Sequence, residues 1–317
     1  MRALRLVPDH TRFPFMRWRK VAFGATLLLT LASLAALSLV GLDLGLDFVG
    51  GLLVEARSDS PVDLAALRAD LGDLHLGDTA LQTFGDEHDV LIRVQEQPGG
   101  AAAQAQAIGA IKSVLAPGYE IRRTEFIGPQ VSHELLRNGL LAALLSILLI
   151  GVYVWFRFEW QFGLSAVITT FHDVLATFGL FSLFHLEFNL TVVAAMLTIA
   201  GYSINDTVVV FDRIRENLRK YKSMGLPELI DLSLNQTLSR TLMTSVTTLI
   251  AVGALLVFGG PVLRNFSIAL AWGVLVGTYS SIFVASALLL HLPSVRPAEG
   301  AAPSSQPSPA APPDPLG

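Results

Sequence analysis

Six apolar stretches dominate this chain of 317 residues, over residues 21–41, 135–156, 162–184, 190–211, 241–258 and 266–292. A helix rises 1.5 Å per residue, so about 20 apolar residues cross the roughly 30 Å of hydrocarbon in a bilayer. Hydrocarbon offers no partner to a backbone N–H or C=O, so each stretch is expected as a helix. The fifth is the shortest and would borrow the turns at 234–240 to reach the interface. Composition agrees: 52% of residues are hydrophobic and 15% charged, against about 25% charged in soluble domains. The formal charge of −4 excludes a strongly basic nucleic-acid binder. The absence of cysteine excludes disulfides, iron–sulfur clusters and thiolate zinc. Arg17, Arg19 and Lys20 precede the first stretch like the n-region of a signal peptide. Its apolar run, however, exceeds the roughly 7–15 residues of a signal core, so it is read as a retained span.

Orientation follows from Lys and Arg in the short connections. Fourteen lie at one set of ends, within 2–20, at 157, within 213–240 and at 296, and one, Arg264, lies opposite. This predicts cytoplasmic termini (1–20 and 293–317), a cytoplasmic loop at 212–240, and residues 42–134 outside. The tail from 293 onward is rich in Pro, Ala and Ser and is expected to be disordered.

Residues 42–134 carry their own pattern. Residues 52–58 alternate as a strand. Ser60-Pro61-Val62-Asp63 supplies a helix start, with Ser60 as N-cap and Pro61 at N1, and Leu64, Leu67 and Leu71 follow at helical spacing. Strands are expected at 79–84 and 89–95 around a turn at 85–88, then a helix at 101–115 and a strand at 119–127. The order β-α-β-β-α-β is that of a ferredoxin-like α+β domain between the first and second spans, a fold used mainly for protein contacts.

Polar residues inside the spans carry the chemistry. Asp206 lies within the fourth stretch, where an Asp costs roughly 2.5–3.5 kcal/mol on insertion scales. Thr198, Tyr202 and Asp206 are spaced i, i+4, i+8 and share a helix face, flanked by Asn205 and Gly201. Arg240, Thr244 and Thr247 open the fifth span, at a depth compatible with Asp206. Thr169, Asp173 and Thr177 form a third stripe. Three stripes on three helices predict the inner faces of one bundle. Plainer readings stand beside these: Arg240 as a positive-inside flank, Asp173 as a structural hydrogen-bond partner, Asp206 as a cap, and His172, about 100° from Asp173 around the helix, as a packing residue. Residues 212–222 read as a solvated charged helix end. Gly273 and Gly277 fit close helix packing.

The chain has no Walker A loop, no GxSxG and no HExxH, and its seven histidines lack metal-ligand spacing. It is expected not to be an enzyme and to hold no cofactor or metal. A buried acid and a base leave an ion gradient as the energy source, with H⁺ and Na⁺ both open. Gly50 and Gly51 permit positive φ where the first span leads into the first strand, so Gly45–Gly51 is expected as a joint. Asp47 is expected to anchor that turn through its backbone amides.

Four segments together carry a resemblance: Gly45-Leu-Asp47-Phe-Val-Gly50-Gly51, Phe171-His-Asp173-Val174, Gly201-Tyr-Ser-Ile-Asn205-Asp206 running on to Asn217, and Ser239-Arg240-Thr-Leu-Met-Thr-Ser245. Over roughly residues 15–292 the chain resembles the SecF family of bacterial protein export. That resemblance implies half of an RND-type bundle, a SecD partner, and work on preproteins leaving the SecYEG channel after the SecA ATPase, with YajC a further candidate partner. It also implies the bacterial cytoplasmic (inner) membrane, a periplasmic position for the ferredoxin-like domain, and a proton motive force acting through Asp206 and Arg240, with Asn205 and Asp173 as further candidates for the proton relay. Two alternatives stay open: half of an RND-type small-molecule or lipid exporter, and a structural subunit without its own proton pathway.

Overall fold

The computed structural model describes residues 11–77, 79–84, 86–116 and 118–293. The proline-rich tail, residues 1–10 and Gly85 lie outside the described residues. A 3₁₀ turn, Phe15–Trp18, leads into α1 (Arg19–Leu39). There follow β1 (Asp43–Leu44), a single helical turn α2 (Leu46–Val49), β2 (Gly51–Ser58), α3 (Leu64–Gly72), β3 (Thr79–Phe84), β4 (Asp86–Val94), α4 (Gly100–Leu115) and β5 (Tyr119–Ile127). The chain then runs through α5 (Pro129–Arg157), α6 (Trp160–Leu183), β6 (Glu187–Phe188), α7 (Leu190–Lys220), α8 (Leu226–Phe258) and α9 (Gly260–Ser280). A π-helical stretch, Ser281–Ala285, carries α9 into α10 (Ser286–Leu288). Six helices are long and apolar enough to cross a membrane among the described residues.

Strands β2 to β5 form one antiparallel sheet in the order β3-β4-β2-β5, so the first and third strands of the unit are central. This is the ferredoxin-like arrangement. Leu52, Val54 and Ala56 of β2 face α3 and α4, packing with Val90, Ile92, Leu67, Leu71, Ile111 and Leu115. Leu53 and Leu91 point to the other face, where they meet Leu46 and Ile127. The period of two thus gives this sheet two apolar faces, one for its own helices and one toward the joint with α1. Helix α3 starts later than the sequence suggests. Asp63 is the N-cap, its Oδ1 accepting from the backbone N–H of Ala65 at 2.9 Å and of Ala66 at 3.1 Å. Ser60 instead closes a local turn with Ser58. Asp ranks with Ser as a cap, and the later start places Leu67 and Leu71 against the sheet.

The connection between the fourth and fifth spans is also shorter than expected. Residues 212–220 continue α7, and α8 starts at Leu226 with Pro227 in its first turn. The charged end stays helical because Ile214 and Asn217 are buried: Ile214 packs with Phe211, Leu229 and Ile230, and Asn217 bonds across to α8. In lipid the hydrophobic effect does not hold helix to helix, so close packing and small residues must. At Gly273 of α9 an added Cβ would overlap the Ile199 side chain of α7, and at Gly277 it would stand 3.3 Å from Ser203 Cβ. Helices α6, α7 and α9 consequently form the inner layer, while α5 and α8 present Leu144, Leu145, Ile250 and Val257 outward.

Candidate functional site

The three polar stripes converge only in part. Asp173 on α6 is fully buried. Its Oδ2 accepts from Ser203 Oγ of α7 at 2.6 Å and from Ser280 Oγ of α9 at 2.8 Å. Its Oδ1 lies 3.0 Å from His172 Nδ1. His172 is therefore a partner of Asp173 rather than a packing residue pointing away: neighbouring side chains curl toward each other because both are buried and each needs a bond. Thr169 and Thr177 do not reach across the bundle. Each hydroxyl donates to the carbonyl four residues back, of Ser165 and Asp173 respectively.

Asp206, one turn beyond Ser203 on α7, is 2% exposed. Its Oδ1 accepts a long bond, 3.4 Å, from Thr244 Oγ1 of α8. Its Oδ2 is buried with no hydrogen-bond partner. Arg240 lies one turn before Thr244 on the same face of α8, is exposed, and makes no ion pair among the described residues. The anticipated stripe 198–202–206 also divides. Tyr202 is half-buried and donates to Ser245 Oγ at 3.2 Å, which in turn meets Thr278 Oγ1 at 2.7 Å. Thr198, Gly201 and Asn205 are exposed on the outer side of α7. A period of four lags behind 3.6 residues per turn, so positions eight apart drift about 80° around a helix.

Sequence reasoning missed the hydroxyl groups that join the acids' helices. Thr207 Oγ1 and Ser281 Oγ are 2.8 Å apart, and Ser281 Oγ donates to the Ser203 carbonyl at 3.3 Å. The π-helical turn follows at that point. Such wide turns free backbone groups and recur at functional sites. The readable signal was the run Ser280-Ser281 one turn beyond Gly277.

The Gly45–Gly51 segment is a joint, but a tightly held one. β1 pairs in parallel with β6, Asp43 opposite Glu187 and Leu44 opposite Phe188. Gly45 N–H donates to the Phe188 carbonyl at 2.8 Å, and the rings of Phe48 and Phe188 stack 5.8 Å apart. Gly51 adopts φ +113°, and a Cβ there would press on the Val94 carbonyl at 2.5 Å; Gly50 has φ 76°. Asp47 does not anchor its own turn. Its Oδ2 accepts from the Leu190 N–H at 2.8 Å, capping α7, whose first N–H groups have no partner within the helix. Arg93 of β4 forms an ion pair with Glu187, and Asn265 of α9 donates to the Glu187 carbonyl at 3.1 Å. Burial raises the Glu187 carboxyl above its ordinary range, with Arg93 opposing and Asp43 and Asp47 adding to the rise. The sheet domain is thereby tied to the very helix that carries Asp206.

Comparison with known proteins gives the same outline. The family profile described as protein export membrane protein SecD/SecF, C-terminal, matches residues 107–294, and the SecD/SecF GG motif matches residues 35–62. A protein translocase subunit SecF of Rhodobacter capsulatus is 43% identical over 318 residues, covering 96% of both chains. The subunit of that name from Cereibacter sphaeroides is 46% identical over 298 residues, 91% of this chain and 92% of its own. The crystal structure of SecDF, a translocon-associated membrane protein from Thermus thermophilus, superposes with a TM-score of 0.81 at 37% identity. That match covers 89% of this chain, which spans only 38% of the SecDF chain.

Proposed function

The chain belongs to the SecF family of protein translocase subunits, and from that membership we propose that it couples the proton motive force to the export of preproteins across the bacterial cytoplasmic membrane. Asp206 is the proton carrier and Arg240 its electrostatic partner. Asn205 shares the uncovered face of α7. Asp173 holds α6, α7 and α9 together around the site and stays outside the proton cycle. SecD supplies the other half of the bundle, a reading supported by the similar SecDF chain, of which this chain spans only 38%. The SecYEG channel, SecA acting before it, YajC and the moving preprotein complete the set of partners. The sheet domain lies on the periplasmic side.

The observation that carries this reading is Asp206 itself. A buried carboxyl with one oxygen unpartnered and the other on a long bond is costly as a fixed ion and well suited to a group that changes protonation. An approach of Arg240 would favour release of the proton, and its withdrawal would favour uptake. The guanidinium stays charged throughout. Because α7 is tied at Leu190 to Asp47 beside the sheet domain, a shift of α7 passes directly to that domain.

Asp206→Asn should fold and assemble normally in inverted vesicles but lose the stimulation of export by a proton gradient. Arg240→Lys should be partly defective and Arg240→Met severely so. Full stimulation in Asp206→Asn would leave the chain a structural subunit, and stimulation by a sodium gradient alone would replace the ion.

A further inference from the structure

We propose that the Arg-rich end of α7 is a binding site for one anionic phospholipid, with its headgroup among Arg157, Arg215, Arg219 and Lys220 and an acyl chain along the outer seam of α5 and α6. Those four cations line a cavity of about 530 Å³ together with Asp212 and Glu216. The acids offset it only in part. Asp212 stands 3.6 Å from Arg157, while Glu216 is taken by Arg213 at 2.8 Å, a residue outside the cavity. Among the described residues Arg215, Arg219 and Lys220 form no ion pair. The Arg157 and Arg215 guanidinium groups crowd one ring, 5.1 Å and 5.9 Å from the centre of Phe158. Arg215 donates one N–H to the Arg157 carbonyl at 3.3 Å, and its Nε is buried without a hydrogen-bond partner. Two like charges held over one ring, with an N–H to spare, call for a multidentate anion, and phosphate oxygens match the guanidinium fork.

The location selects a lipid as the source of that phosphate. Trp155 and Trp160 flank Arg157 in the chain and are 64% and 46% exposed, the position of residues at a bilayer interface. At the same turn, Leu148, Gly151, Val152, Trp155, Gly163 and Val167 line an almost wholly apolar groove of about 440 Å³. A cationic pocket at headgroup depth beside an apolar seam is complementary in charge and polarity to an anionic phospholipid. It is less suited to an acidic protein, which would have to enter the headgroup layer.

The full chain, purified in mild detergent, is offered phosphatidylglycerol or phosphatidylcholine and weighed intact by native mass spectrometry. Phosphatidylglycerol should be retained in preference. Arg219→Gln and Lys220→Gln, both at exposed side chains that leave the fold intact, should each weaken retention about fivefold. Arg213→Gln should not weaken it. Long-chain lipid should be held more tightly than its dihexanoyl analogue, and millimolar inorganic phosphate should displace neither. Equal retention of the two headgroups, or unchanged retention in the Arg219→Gln/Lys220→Gln double variant, overturns the site. Displacement by phosphate, by an acidic peptide, or equal binding of short and long chains overturns the assignment to a lipid. None of these readings depends on export or on the proton gradient.

Discussion

Asp173 and Asp206 are 0% and 2% exposed, yet their surroundings differ in kind. Asp173 has bonds from three side chains on three segments, and Asp206 has one long bond. Removing a fully bonded buried acid strands its partners, so Asp173→Ala should destabilise the bundle by about 3–5 kcal/mol, as when one member of a buried pair is lost. Thermal unfolding in detergent checks this, and a change of only a few tenths of a kcal/mol would contradict a structural role. Asp206→Asn, similar in shape and short of partners to lose, should leave the same midpoint nearly unmoved. Both acids were legible in the sequence because charge inside a span is rare and expensive. Ser203 was not, and Ser280 and Ser281 show only as a serine pair one turn beyond Gly277. A serine in a span is common, and many hydroxyls here satisfy themselves on the carbonyl of the preceding turn, as Thr169 and Thr177 do.

Element boundaries were legible where an apolar period ran between strong breakers, as for β3 and β5, and shifted where two good caps competed, as at Ser60 and Asp63. The parallel pair β1–β6 had no local signal, because its strands are two residues each and lie far apart in the chain. It nevertheless places Glu187 against Arg93, and so sets the pH response of the joint. An acid whose folded pKa is raised stabilises the fold fully below its unfolded value, near about 4.3 for Glu, and that contribution is lost as pH rises through the folded value. The unfolding midpoint should therefore fall as pH climbs from the ordinary Glu range toward neutrality, and Glu187→Gln should flatten that slope. An unchanged slope in Glu187→Gln would place the titrating group elsewhere.

For the whole molecule, six spans, a split sheet domain and charge asymmetry are legible in the sequence, because each is a statement about solvent: lipid, water or the interface between them. How the bundle is completed is not, since Thr198, Asn205 and Arg240 are exposed and no other segment among the described residues covers them. Sidedness is open to a simple check. The chain has no cysteine, so Glu87→Cys, exposed at the start of β4, should react with an impermeant maleimide in intact spheroplasts. Labelling only from the cytoplasmic side would invert the topology. The central claim, that Asp206 takes up and releases the driving proton, is tested most directly by infrared difference spectroscopy on the chain reconstituted with its SecD partner. Cycling the pH should raise and remove a protonated-carboxyl band that is lost in Asp206→Asn and kept in Asp173→Asn. The same band surviving in Asp206→Asn would contradict the account.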